Sequence, residues 1–476
     1  MKKLIKKWSQ MPDSVKSTFA FVASSFILKG VSFITTPIYT RVMDVSQYGV
    51  VSIYNSWLLI IEVFALLGLT SAGVFNVGLN DYRDSRDEYM SSILGLCNVV
   101  TLVVFGLIFI LKIFLGQSFL LPTNLIILMF LWLIFSPAQI FWITRKKYEY
   151  KYKLAFCTTI LSSTVSQIVA ILAVKNFSGY NSAEVKLWSH CLTTFMFVVP
   201  IYIFIILKGK SYFNFSYWRK ALIFSLPLIP HYLSQHIMSG ADRIMIANMV
   251  SSADAGIYAV VNNIGIIATI IWSAINTSLV AFTFENLNKK EYAKTNRTVT
   301  LLLFGYAVAC VAVALLAPDV MKILAPENYY KGVYAVPPLI CVALLSGVYN
   351  VYANIEFYYK KTSYIAISTV IATVVNVLLN LILIPKFSYV GAAYTTLISY
   401  IVLVFMHYRG CKRCQKEQIY NNYIIALIIV FCIVACLLCN LLYLSSIIRH
   451  ILIGVAFVFF AWRHKDIVEI IKSFQE

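Results

Sequence analysis

Six side chains that can bind charge or carry a proton fall within one short stretch: His231, Gln235, His236, Ser239, Asp242 and Arg243. If the stretch is helical, at about 100° per residue, Gln235 and Asp242 lie near His231. Ser239, His236 and Arg243 then occupy the adjoining flank, giving one polar arc under half the circumference. Other polar residues recur in otherwise apolar sequence: Lys29, Arg41, Asn55 and Glu62, then Asn262, Asn263, Asn276, Asn350, Asn354 and Glu356. In a functional reading, Lys29, Arg41 and Arg243 form a cationic surface that holds an anion by charge-assisted hydrogen bonds. Asn55, Glu62, Gln235, Asp242, Asn262 and Glu356 would line the same cavity. His231 and His236 could titrate as part of proton coupling, or sit buried and satisfied in the packing. The structural alternative pairs Lys29 with Glu62 and bonds Asp242 to a neighbouring helix.

The elements that must carry these residues are membrane spans. The 476-residue chain is 60% hydrophobic and 12% charged, with mean hydropathy +0.79. A soluble chain would carry about a quarter charged residues. Apolar runs long enough to cross a hydrocarbon core of about 30 Å recur from end to end. In lipid each must be helical, because an unpaired backbone group there costs several kcal/mol. The alternating segments of about ten residues that mark a membrane barrel are absent. The expected spans are 17–40, 48–77, 90–115, 118–143, 154–174, 184–207 and 221–250. The second half adds 255–284, 298–317, 332–358, 362–384, 390–406, 423–442 and 447–462. The expectation is an all-α polytopic membrane protein of about fourteen transmembrane helices.

The net charge of +19 is a topology signal rather than a nucleic-acid footprint. Every second connection is basic, with about 29 lysines and arginines on one side against about 8 on the other. That bias puts both termini on the cytoplasmic side of the membrane. The N-terminal Lys2–Trp8 stretch precedes a run of span length with no small-residue cleavage site, so it is not read as a signal peptide. Arg449, near the outer end of the short last span, is expected to snorkel to the interface. Eight cysteines lie in spans as small buried hydrophobes, and Cys411-Lys-Arg-Cys414 is a lone pair with no second pair nearby. No metal is expected.

The external links are short, the largest being roughly 318–331. That argues against an enzyme with a catalytic domain outside the membrane, and function must reside among the helices. Setting Gly49 on Gly256 without gaps aligns Asn55 with Asn262 and Lys29 with His236. This weak parallel repeat suggests two six-helix lobes with an appended pair, a common transporter plan. The divisions are 1–218, 219–410 and 411–476.

Three blocks carry a resemblance. Phe21–Asn55 holds Gly30, Pro37-Ile-Tyr-Thr-Arg41 and Gln47-Tyr-Gly49. Ser239-Gly-Ala-Asp-Arg-Ile-Met-Ile246 precedes Ala255-Gly-Ile-Tyr258. Lys360-Lys-Thr362, Asn376-Val-Leu-Leu-Asn380, Ile384-Pro385 and Gly391-Ala-Ala393 form the most specific block, with Ser388 where a glycine is usual. The chain resembles the bacterial polysaccharide repeat-unit flippases (O-antigen and capsule transporters) of the multidrug/oligosaccharidyl-lipid/polysaccharide exporter superfamily. The resemblance implies two six-helix lobes in a V plus two peripheral helices. It also implies an undecaprenyl-diphosphate-linked oligosaccharide as substrate, moved by alternating access. Lys29, Arg41 and Arg243 fit the family's cationic cavity by character. The implied partners are membrane lipids, a polysaccharide polymerase and glycosyltransferases, and the implied cofactor is none beyond an H+ or Na+ gradient. No GxxxxGK[ST] motif occurs, so ATP is not the direct driver. The rival readings are an organic-cation antiporter and a lipid II flippase.

Overall fold

The computed structural model describes residues 13–116, 121–177, 179–415 and 417–462, and no strand occurs among them. Contacts divide the chain into two compact units, Met1–Gly240 and Ala241–Glu476. The first holds α1 (Asp13–Val42), α2 (Val45–Leu66), α3 (Ala72–Asp81), α4 (Arg86–Leu115) and α5 (Thr123–Tyr148). It continues with α6 (Tyr152–Asn176), α7 (Ser182–Gly209), α8 (Phe215–Ser225), a 3-10 turn at Leu226–Leu228, and the start of α9 (Ile229–Met249). The second unit takes the rest of α9, then α10 (Ser252–Asn288), α11 (Tyr292–Leu324) and a 3-10 run at Glu327–Ala335. It closes with α12 (Val336–Tyr358), α13 (Thr362–Cys414), α14 (Asn422–Leu442) and α15 (Ser446–Trp462). Among the described residues ten helices are long and apolar enough to cross a membrane. The expected first, seventh and last crossings also lie on helix, in α1, α8–α9 and α15. This is a multi-pass all-α membrane protein.

Within the first unit, α6 and α7 form the main hairpin, with α1 against α6 and α4 and α5 against α7. In the second, α12 packs on α13 and α10, while α14 lies on α11 and α12. Outward faces remain apolar: Leu102, Leu107, Phe114, Leu207, Leu381 and Leu441 are all exposed. Such surface would be unstable in water and is normal against lipid tails.

Four departures from the expected spans have local causes. The span 48–77 is broken into α2 and α3, because Leu67 (φ 49°) and Gly68 (φ 68°) turn left-handed. A Cβ at Gly68 would also lie 2.9 Å from the Tyr232 ring. The two prolines of the seventh span open it into the 3-10 turn around Pro227, after which Pro230 enters α9 in its first turn, where proline is tolerated. The ninth span runs past Pro318 to Leu324, so the longest external link is largely helical. Arg449 does not snorkel. It is 2% exposed and donates to Asp319 Oδ2 at 2.6 Å and to the Leu315 carbonyl at 2.7 Å. A carboxylate on α11 meets the charge, so the side chain does not need to reach water.

Candidate functional sites

In the first unit, the break between α2 and α3 leaves a cavity of about 270 Å³. Glu62 from the end of α2, Thr70 and Ser71 from the turn, and Tyr232 and His236 from α9 line it. Tyr232 donates to Ser71 Oγ at 2.8 Å and holds the turn against α9. Glu62 and His236, far apart in sequence, thus face one space. No ion pair joins Lys29 to Glu62 among the described residues. Lys29, Asn55 and Gln235 are exposed, His231 is half-buried, and Ser239 Oγ donates back to the Gln235 carbonyl at 3.0 Å. Exposed mid-helix charge and amide groups are costly against hydrocarbon, so these faces suit a water-filled space. Arg41 lies twelve residues beyond Lys29, about 18 Å along the helix at 1.5 Å per residue. It lines a different cavity with Asp44, Gln47 and Asn181, and its Nη1 donates to the Pro37 carbonyl at 2.9 Å.

In the second unit, Asp242 is 4% exposed and sits at the centre of a polar network. It accepts from Tyr258 Oη at 2.8 Å, Asn380 Nδ2 at 2.6 Å and Thr396 Oγ1 at 2.7 Å. Asn380 Nδ2 also donates to Asn376 Oδ1 at 3.3 Å, and its own Oδ1 accepts from Thr395. The network joins α9, α10 and both halves of α13. A buried carboxylate with this many donors has its hydrogen-bonding capacity met. Arg243, next along α9, is half-buried with its Nε out of hydrogen-bond reach of any described residue. Asn262 is half-buried on α10. Glu356 is fully buried at the end of α12, against His407 of α13 at 2.7 Å.

The family model for "Polysaccharide biosynthesis protein" matches residues 14–283, more than half of the chain. The chain belongs to that family. A Haemophilus influenzae "Lsg locus putative protein 1" is 26% identical over 176 residues, covering 36% of this chain and 43% of the relative's length. A second protein of that organism, an "Uncharacterized membrane protein", is 24% identical over 403 residues, covering 79% and 94%. Among solved structures, the lipid II flippase MurJ in an inward closed conformation superposes with TM-score 0.66 at 15% identity, over 93% of this chain and 99% of that one. An inward-facing multidrug resistance MATE transporter of the MOP superfamily gives TM-score 0.58 at 14% identity, over 82% and 96%. At these identities the likeness establishes the fold.

The sequence did not reveal the contacts of several chemically capable residues of this family member. His407 lies one residue past the expected twelfth span, beside Tyr408 and Arg409, so its position reads as a solvated helix end. Asn376 and Asn380 stand out as an i, i+4 amide pair in apolar sequence. That Asn380 reaches Asp242 while Asn376 reaches Thr396 is not predictable from that spacing. Lys186 lies with its ammonium 3.7 Å from the Tyr39 ring centroid and 5.2 Å from that of Tyr48. Its two aromatic partners come from α1 and α2 and could not be paired from spacing alone.

Proposed function

We propose that this protein is a flippase that moves an undecaprenyl-diphosphate-linked oligosaccharide repeat unit across the bacterial cytoplasmic membrane for polysaccharide (O-antigen or capsule) synthesis. The family match over 14–283 carries the reading. Exposed Lys29 and half-buried Arg243 support it, since both can donate to phosphate oxygens. In this proposal the lipid tail stays in the bilayer while the headgroup and sugars cross by alternating access. The basic side of the chain, with both termini, faces the cytoplasm. A polymerase would take the exported unit, and glycosyltransferases would supply it. The protein itself makes or breaks no covalent bond.

Leaflet exchange alone only equilibrates the substrate, so net export needs an ion that binds one state more tightly than another. H+ or Na+ fills this role, with two groups suited to bind it. Glu62 and His236 face one cavity in the first unit, and Asp242 is a carboxylate ringed by amide and hydroxyl groups in the second.

The test is reconstitution into liposomes with fluorescent undecaprenyl-diphosphate oligosaccharide, comparing wild type with Lys29→Ala and Arg243→Ala. Exchange that falls strongly in both folded variants supports the proposal. Exchange of lipid II alone would move the substrate to peptidoglycan precursor. Gradient-driven uptake of organic cations with no lipid exchange would overturn the flippase reading.

A further inference from the structure

Arg41, expected on the anion-binding surface, instead lines a cavity separate from the one that Glu62 and His236 share. The Arg41 cavity lies where the end of α1 and start of α2 meet the link between α6 and α7, and its volume is about 310 Å³. That is at the small end of the range for ligand pockets. Its polar lining comes from Arg41, Asp44, Gln47, Asn181 and Ser182, with Tyr180 beside them. Tyr180 is 72% exposed, and Phe177 stands edge-on to it at 6.3 Å, itself exposed. Both rings are left largely in the open, with little packing to hold them. A ligand that stacks on the ring would repay that exposure.

The polar side is held in place by backbone contacts. Asn181 Oδ1 accepts from the Ala183 and Glu184 amides at 3.1 and 3.2 Å, capping α7. Gln47 Oε1 accepts from the same Ala183 amide at 3.3 Å. These bonds leave the NH2 groups of both amides as the available donors. One turn into α7, Lys186 sits over the Tyr39 and Tyr48 rings.

We propose that this cavity is a saccharide subsite. Sugar hydroxyls both donate and accept, which matches a lining that mixes a guanidinium, a carboxylate, two amides and a hydroxyl. The apolar face of a pyranose ring fits the exposed Tyr180 ring. Asp44 disfavours a phosphate here, and Arg41 disfavours a metal cation. The charge bias of the loops puts this end of the first unit outside. The cavity therefore meets sugars as they leave, and this assignment of the source rests on the flippase reading above.

The experiment uses the full chain in nanodiscs and saturation-transfer NMR with methyl glycosides of a neutral hexose, an N-acetylhexosamine and a hexuronate. At least one is expected to receive transfer, falling about five-fold in Tyr180→Ala and in Asp44→Asn. Thermal unfolding of each variant verifies that it is folded. No transfer to any glycoside, or equal transfer in wild type and both folded variants, overturns the proposal. Liposome exchange separates the sources. If Tyr180→Ala slows exchange of lipid-linked oligosaccharide, the subsite serves the transported chain; if binding is lost and exchange is unchanged, it serves a free saccharide. Glycoside binding by a protein that exchanges no lipid-linked sugar would keep the subsite and remove the flippase reading.

Discussion

His407 Nδ1 and Glu356 Oε2 share a hydrogen bond of 2.7 Å in the second unit, and neither side chain is exposed. The other carboxylate oxygen and the other ring nitrogen have no partner among the described residues. Gly410 lies so close that a Cβ there would overlap Glu356 Oε1. Each group is therefore tolerable only while the other is present. His407→Ala is expected to lower stability by about 3–5 kcal/mol, the usual cost of stripping one partner from a buried pair. The double variant Glu356→Met/His407→Leu should recover most of it, because no polar group is left stranded. Reversible unfolding in detergent would measure both, and equal losses in the single and double variants would argue against the pairing.

Ser388 interrupts α13 at φ 49° and ψ −139°, a conformation that L side chains rarely adopt, and its Oγ is buried without a partner. Ser388→Gly relieves the strain and removes the stranded hydroxyl. A gain of about 1–2 kcal/mol in unfolding free energy is expected. A loss instead would mean that the serine hydroxyl makes a contact worth more than the strain.

These two sites show what the sequence reveals about this fold and what it hides. Apolar runs located the long helices, ten of which among the described residues could cross a membrane, because lipid leaves the backbone no option but helix. Ser388 was visible as a departure from the glycine usual at that point in similar sequences, and the positive φ supplies the reason. The break at Leu67–Gly68 was not visible, since both neighbours are apolar and hydropathy does not register a left-handed turn. Yet that break creates the cavity shared by Glu62 and His236. Asp242 could be placed on a polar arc of α9 by helical spacing, but its bonds to Asn380 and Thr396 span more than 130 residues. Helical periodicity says which face a residue occupies and is silent on what meets that face.

Glu149, in the turn between α5 and α6, takes a hydrogen bond from Arg145 Nε at 2.8 Å, with Lys151 Nζ at 3.2 Å. Burial pushes its carboxyl up, and the two cations more than offset this, leaving it below the usual 4.5. A lowered folded-state value means the stabilisation is full above 4.5 and disappears as pH falls through the lowered value. The stability difference between wild type and Glu149→Gln should therefore be clear at neutral pH and shrink as pH falls below 4.5. A difference that stays constant across that range would show that the charge contributes nothing.

Arg449 ties α15 to α11 through Asp319 and the Leu315 carbonyl. Arg449→Met keeps the bulk and removes about 1.5–3 kcal/mol of charge-assisted bonding. The consequence should be local. Backbone hydrogen exchange over 446–455 is expected to rise while α4 and α5 keep their protection. Unchanged exchange in α15 would mean that apolar packing alone holds the helix.

Asp242 anchors a buried polar network in the second unit and is one of the groups proposed above for ion coupling. Three donors converge on its carboxylate, so Asp242→Asn keeps the shape but turns one acceptor into a donor facing other donors. Rotation of the Asn380 amide can absorb part of the conflict, and a loss of about 1–3 kcal/mol is expected. If Asp242 is also the coupling group, the folded variant should still equilibrate lipid-linked oligosaccharide between leaflets, because downhill exchange needs no ion. Its response to an imposed H+ or Na+ gradient should disappear, since a neutral amide has no charge for the ion to balance. Glu62→Gln, measured beside it, separates the two candidate groups. A gradient response retained by Asp242→Asn and lost in Glu62→Gln would move coupling to the first unit and leave Asp242 a structural anchor between helices.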